Sequence, residues 1–422
     1  MLRKTCRQCC NTTLLPILSL GTHAVSTFLD PSVGNEVVTR GPLELVLCDP
    51  RTGCSLLQLH HRAVDPAVMF TKYWYKSGMN KTMIAALRDI TKKIEDMSYL
   101  SAGDAVLDIG SNDGTLLRSY ATEGLRKIGF EPARNLAHDV DEAPGLIIND
   151  FFSAAAFERE VVDTKVKAVT SIAMFYALEN PAQFVADVKR ILRPDGVWVI
   201  QMAYLPSMLE TNNVDNICHE HVTYYSLRSL EFLLHSHGLQ VFDLELNDVN
   251  GGSFRVYVQH PSLPCSRLVT DRVAAQREYE SKYNFQEADV YRAFAQRVED
   301  IKVSLVTFLK REHARGKIIH VYGASTKGNT LLQYFGLDAS IIQAAAERNP
   351  DKWGLKTVAT LIPIISEAQS RESHPDYYLV LPWHFRTEFV QRESEYLAKG
   401  GHMIFPLPRP EVVGLSGSNP LS

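Results

Sequence analysis

Two carboxylates stand among glycines in Asp108-Ile109-Gly110-Ser111-Asn112-Asp113-Gly114, directly behind the apolar run Ala105-Val106-Leu107. Gly110 and Gly114 permit close backbone approach to a ligand, but the third glycine of a G-x-G-x-x-G dinucleotide pattern is missing. A diphosphate at the following helix N-terminus would meet Asp113 and be repelled. S-adenosylmethionine carries no phosphate, and its sulfonium and ammonium groups are attracted by acids near the turn. The segment therefore reads as a methyl-donor site, with Asp108, Gly110, Asn112, Asp113 and Gly114 as cofactor contacts; the alternative is an ordinary strand-to-helix turn. Glu131 stands 17 residues after Gly114, at the end of the next apolar run and before Pro132. A carboxylate there accepts hydrogen bonds from a ribose diol. Asp150, before Phe151, is either a contact for the adenine amino group or a solvated loop acid.

A second concentration of chemistry is Cys218-His219-Glu220-His221-Val222-Thr223-Tyr224-Tyr225. Histidine exchanges a proton near neutral pH, and an adjacent carboxylate raises its basicity. The spacing is not H-E-x-x-H, so a helical zinc-protease site is not indicated. In an extended segment His219 and His221 face one side and Glu220 the other. Acid–base work is the leading reading; a metal site or a structural histidine pair are the others. Upstream, Tyr73, Tyr75 and Ser77 alternate in a way that suits either a pocket lining or aromatic packing between modules. Near the C-terminus, Tyr322-Gly323-Ala324-Ser325-Thr326-Lys327-Gly328-Asn329 repeats the strand, glycine turn and helix order. It is not a Walker loop, yet Lys327 and a helix N-terminus suit a phosphate; a purely structural sheet is the alternative.

Cys6-x-x-Cys9 and the pair Cys48 and Cys54 supply four thiols to the first 60 or so residues. Four thiolates close a tetrahedral site around Zn²⁺ with no open position, so such a zinc is structural. A module this small gains from a metal. The alternative is a set of reduced cysteines in an apolar cluster.

The elements that must position these groups follow an alternating pattern. Buried strands are expected at 105–109, 127–130, 166–173 and 196–202, the last after a turn at Arg193–Gly196, with a helix over 184–192. A helix over 227–237 ends at Gly238, and two strands, 239–246 and 253–259, are joined through Asn250-Gly251-Gly252. Residues 82–97 and 266–315 have helical character. Strands at 318–322, 341–346 and 377–383 form another sheet. The expected class is α/β. A small zinc module occupies 1–68, a central S-adenosylmethionine-binding sheet 69–262, a helical connector 263–315, and a second Rossmann-like unit 316–415. A chain of 422 residues exceeds one compact core. Net charge of −4 gives no electrostatic case for nucleic acid or an anionic membrane. No apolar run reaches the length of a membrane span. Clustered cysteines point to a reducing, cytoplasmic setting.

The joint order of Cys6/Cys9/Cys48/Cys54, Tyr73–Ser77, Asp108–Gly114, His219–Ser226, Gly251-Gly252-Ser253 and Tyr322-Gly323-Ala324 with Lys327–Thr330 resembles the three-domain C-methyltransferases of nucleotide-linked keto-deoxysugars. The resemblance covers almost the whole chain. It implies a class I methyltransferase fold, S-adenosylmethionine, structural zinc and methyl transfer to carbon beside a keto group. It also implies His221 as base, with Glu220, His219 and Tyr75 beside it. The acceptor, a small molecule, would be held by Tyr73, Tyr224, Lys327 and Asn329, with Lys327 toward the diphosphate. A monomer or homodimer is expected. The chain departs from the family pattern at Cys218, where a tyrosine is usual, and lacks the proline often found in Ala324-Ser325-Thr326. Transfer to oxygen or nitrogen, or a non-catalytic zinc-stabilised binding protein, are the competing readings.

Overall fold

A computed structural model describes residues 1–34, 38–137, 145–261, 263–285 and 287–414. The expected boundaries at 262 and 415 lie outside the described residues.

The central sheet has seven strands, in the order Gln240–Asn247, Ser253–Gln259, Leu192–Ala203, Val166–Ile172, Ala105–Ile109, Arg126–Phe130 and Leu146–Ile148. Five are parallel, and Ser253–Gln259 runs antiparallel to both Leu192–Ala203 and Gln240–Asn247. Parallel strands covered on both faces must be apolar throughout; Ala105–Ile109 is buried at all five positions. Their carboxyl ends open on one edge, where doubly wound sheets bind ligands. The helix Lys81–Ser98 is capped by Asn80 and buries Leu87, Ile90 and Ile94 on one stripe. The expected turn at Arg193–Gly196 is instead extended, part of the strand from Leu192, with Arg193 paired to Asp104 and Asp195.

Two smaller sheets flank this edge. One is antiparallel, in the order Leu14–Ala24, Arg40–Cys48, Leu57–Leu59 and Thr223–Tyr224. Its last strand comes from the central part of the chain, immediately after His221. The other holds six strands in the order Ile364–Ser366, Ala344–Glu347, Ile319–Tyr322, Tyr377–Val380, His402–Phe405 and Glu411–Val413. All are parallel but the last. Helices Asp271–Lys282 and Ala288–Ala314 lead into it. The short strand Phe28–Leu29 pairs with Lys356–Thr357, tying the two flanking sheets to each other. One apolar core continues from Leu43 and Leu45 through Val214 and Ile217 to Val321 and Leu379. Among the described residues no helix is long and apolar enough to cross a membrane.

Candidate active site

A cavity of about 350 Å³ lies at the carboxyl edge of the central sheet. Asp108 and Gly110, Glu131 and Pro132, and Asp150 and Phe151 come to it from three successive strand ends. Glu220, His221, Tyr73, Tyr75 and Lys327 line the same cavity. Residues as far apart as Tyr73 and Lys327 thus share one space, because the loops after parallel strands converge there.

At the donor end, Gly110 has φ +75°, a conformation costly for other residues. A Cβ there would come within 3.3 Å of Met174 Cγ. Glu131 accepts the Asn112 amide on one oxygen and the Ala133 amide on the other, each at 2.8 Å. Asp108 accepts from Thr170 Oγ1 at 2.6 Å. Burial lifts the Asp108 carboxyl to about 7 and also raises Glu131. Neither is ion-paired to a basic side chain among the described residues. A cavity that holds unpaired buried carboxylates fits a cationic ligand, which would restore their ionised form.

Asn112 and Asp113 do something else. Asn112 Oδ1 accepts the Ser77 amide at 2.9 Å, and its Nδ2 donates to the Tyr75 carbonyl at 3.0 Å. Asp113 accepts from the Gly78 amide at 2.7 Å and from Thr115 Oγ1 at 2.6 Å. The expectation of a direct Asp113 contact with the cofactor is therefore corrected. Its carboxylate is turned onto the 77–79 segment and caps the next helix, and neither it nor Gly114 lines the cavity. These two side chains clamp the tyrosine-bearing loop over the donor end.

At the other end, His221 Nδ1 lies 3.0 Å from the Asn216 carbonyl. A carbonyl only accepts, so Nδ1 carries the hydrogen and Nε2 keeps its lone pair. Burial first, and the charge of Lys327 second, push His221 down to about 3. Glu220 moves the opposite way: burial lifts it to about 7, opposed by the hydroxyl of Tyr73, which donates to Glu220 Oε2 at 3.3 Å. Tyr73, not Tyr75, is thus the tyrosine of this segment that donates to Glu220. Tyr75 is half-exposed at the cavity wall.

Three further expectations are corrected. His219 Nε2 meets the Gly41 carbonyl at 3.1 Å, away from the cavity, and fastens the loop to the antiparallel sheet. The alternation of an extended segment fails here because the chain turns: the His221 amide donates to the Cys218 carbonyl. Tyr224 sits behind His221, donating to the Asn216 carbonyl at 3.3 Å. Asn329 donates to Ser26 Oγ and the Thr27 carbonyl, both at 3.1 Å, so its amide joins the flanking sheets and does not line the cavity. Cys218 is buried outside the cavity lining. Tyr176 was not anticipated. Its ring lies against the His221 imidazole, centroids 3.9 Å apart. Its position just past the strand Val166–Ile172, at the ligand-binding edge, was the available signal.

Over 414 residues, 97% of this chain and 96% of the relative, the sequence is 32% identical to C-methyltransferase NovU of Streptomyces niveus. The chain belongs to this C-methyltransferase family. Residues 79–244 match the family described as a methyltransferase domain, and residues 248–408 the C-methyltransferase C-terminal domain. The C-methyltransferase match thus begins before the last antiparallel strand and takes in both connecting helices. Among solved structures, a putative methyltransferase with the Haloferax volcanii Trm112 activator aligns at TM-score 0.34 and 16% identity. That alignment covers 43% of this chain and 95% of that one. Synechocystis magnesium protoporphyrin IX methyltransferase with bound S-adenosylmethionine aligns at 0.35 and 10%, covering 47% and 98%. The enzyme is an S-adenosylmethionine-dependent C-methyltransferase with a class I methyltransferase-like α/β fold.

Near the N-terminus, the Sγ atoms of Cys6, Cys9, Cys48 and Cys54 lie within 4.8 Å of one another. Cys6 and Cys54 are 3.6 Å apart, Cys9 and Cys48 3.5 Å. These spacings are too long for disulfides and close to the edges of a tetrahedron with metal–sulfur bonds of about 2.3 Å. Gln58 Nε2 and the Gln8 amide both approach Cys6 Sγ, at 3.2 and 3.4 Å. Donors directed at sulfur suit a thiolate, so this set fits zinc.

Proposed function

We propose that the enzyme methylates a carbon next to the keto group of a nucleotide-linked deoxysugar. The observation that carries this reading is the sharing of one cavity by the donor-end residues, an acid–base pair and a lysine from the C-terminal sheet. Asp108, Gly110, Glu131, Asp150 and Phe151 would hold S-adenosylmethionine, which supplies an electrophilic methyl group. Tyr73, Tyr75 and Tyr176 form the wall that excludes water from the acceptor.

The chain's own part in the reaction is to remove a proton from the acceptor carbon. A hydrogen beside a carbonyl is acidic enough for a side-chain base once the enolate is stabilised. His221 offers the free Nε2 and, by family resemblance, is the base. Proton affinity favours a second reading, with Glu220 as base. Its carboxyl at about 7 matches neutral pH, whereas His221 at about 3 binds a proton weakly. On that reading the neutral imidazole orients the acceptor. The two differ in the pH profile: a Glu220 base gives kcat/KM an acid limb near 7, a His221 base one far below.

The substrate reading is tested by exchange without the methyl donor. Wild-type protein with a nucleotide-linked keto-deoxysugar in D₂O should lose the carbon-bound hydrogen next to the keto group. Absence of exchange across such sugars, with methylation of a hydroxyl or amine found instead, would remove it.

We further propose that Cys6, Cys9, Cys48 and Cys54 bind one structural zinc. The functional division, on this reading, is a zinc module over 1–68, a donor domain over 69–262, connecting helices to 315, and an acceptor-holding domain thereafter. Oxygen acceptors are the competing class, and the exchange experiment separates them.

A further inference from the structure

Asn216 is 1% exposed, yet neither its Oδ1 nor its Nδ2 has a hydrogen-bond partner in the protein. Leaving a buried primary amide wholly unpaired costs several hydrogen bonds' worth of desolvation. The residue is not loosely held. Its backbone carbonyl accepts from the Cys218 amide at 3.1 Å, from His221 Nδ1 at 3.0 Å and from the Tyr224 hydroxyl at 3.3 Å. The carbonyl is thus anchored beside His221, and the residue is among those that border the cavity, its amide atoms buried. An orphaned polar group so firmly placed beside an acid–base pair is what a ligand-binding donor looks like before its ligand arrives.

Lys327 approaches the same place from the C-terminal sheet. The helix Thr326–Phe335 packs on the turn Val214–Asn216 that carries the amide. Its Nζ has one long bond, 3.4 Å to the Asn250 carbonyl, and lines the cavity with Glu220 and His221. An ammonium close enough to His221 to lower its proton affinity borders the same end of the cavity. The lysine stands at the reacting end.

We propose that Asn216 Nδ2 and Lys327 Nζ together bind the acceptor's keto oxygen and carry the negative charge that develops there. This rests on the carbon-methylation reading given above. In the enolisation step the acceptor's C–H bond breaks and its proton passes to the base. The freed pair forms the carbon–carbon double bond, and the carbonyl π pair moves onto oxygen. That oxygen then accepts hydrogen bonds from the amide and the ammonium, aligned beforehand and shielded from water, which is the arrangement that lowers such barriers most. Lys327 is therefore moved from the diphosphate, where its sequence context had put it, to the keto oxygen.

The test measures enolisation alone. Wild type, Asn216→Leu, Asn216→Asp and Lys327→Met are each incubated in D₂O with a thymidine diphosphate-linked 4-keto-6-deoxyhexose and no methyl donor. Loss of the hydrogen next to the keto group is followed by proton NMR, and thymidine diphosphate and S-adenosylhomocysteine affinities are measured on the same samples. Each substitution should slow exchange at saturation by about 100-fold, the usual effect of losing one such donor. Both affinities should stay within a few-fold of wild type, which also shows that the variants are folded. Wild-type rates of exchange in Asn216→Leu, or in Lys327→Met with thymidine diphosphate binding weakened tenfold or more, would overturn the proposal; the second result returns the lysine to the phosphate. If wild type itself exchanges nothing but methylates oxygen, the carbon reading falls and takes this one with it.

Discussion

Glu220→Gln removes a carboxyl whose proton is held by burial and leaves a side chain of the same shape. The ordinary carboxyl value of 4.5 rises to about 7 in the folded enzyme, because burial outweighs the Tyr73 hydrogen bond. The interval is about 2.5 pH units, and at about 1.4 kcal/mol per unit it amounts to ~3 kcal/mol. The folded state binds this proton more tightly than the unfolded chain. The group's contribution to stability is therefore whole below 4.5, declines as pH rises, and is gone above about 7. Glutamine stays neutral throughout. Urea unfolding at pH 8 should find Glu220→Gln more stable than wild type by up to about 3 kcal/mol, with the gap closing by pH 4.5 to 5. Asp108 is shifted the same way, but it is present in both proteins and cancels in the difference. The same substitution should abolish turnover if Glu220 is the base, so stability and activity move in opposite directions. Parallel loss of stability with pH in the two proteins would refute the reasoning, for it would mean that Glu220 is solvated and ionised at neutral pH.

The remaining predictions concern its neighbours. Tyr73→Phe deletes the donor to Glu220, so the acid limb of kcat/KM should move to higher pH; a limb that stays put would mean that the two do not interact. His219→Ala should lower stability by about 1–3 kcal/mol, measured by urea unfolding, since the Gly41 carbonyl is left without its buried partner. Turnover per folded molecule should be retained, and its loss would restore His219 to the chemistry. Gly110→Ala places a methyl against Met174 in a left-handed backbone. It should weaken S-adenosylhomocysteine binding by at least about tenfold, or ~1.4 kcal/mol, by calorimetry; unchanged affinity contradicts the donor-end assignment. Cys9→Ser should reduce bound zinc from about one per chain toward none and lower stability by several kcal/mol; a metal-free variant as stable as wild type would remove the zinc proposal.

That Asp108, Gly110 and Glu131 meet at one end of the cavity was legible because the signal is local. A buried strand, a glycine at positive φ and an acid at the next strand end lie within the 27 residues from Ala105 to Glu131, and their placement follows from the periodicity of one βαβ unit. Asp113 was misread for the same reason. Its charge suggested a cation, but the Gly78 amide, 35 positions away, holds it, and such a contact leaves no trace in spacing. The His219–His221 pair divided because a turn, invisible in the residue types, sends one ring to Gly41 and the other to the cavity. Asn216 carried no signal at all, since its importance lies in bonds it does not make. Tyr176 could have been found by asking which residues follow each parallel strand.

The loop from Asn213 to Tyr224 belongs to every layer at once. Its start lies beneath the helix Thr326–Phe335, its middle carries Glu220 and His221, and its end is a strand of the antiparallel sheet, with His219 bonded across to Gly41. For anyone recombining members of this family, the three sheets are therefore not interchangeable cassettes. A crossover placed at either sheet boundary separates the loop from half of what holds it. A chimera that brings a new C-terminal sheet must also bring residues 213–224 and the strand edge that receives them, or Glu220 and His221 will lose their places in the cavity.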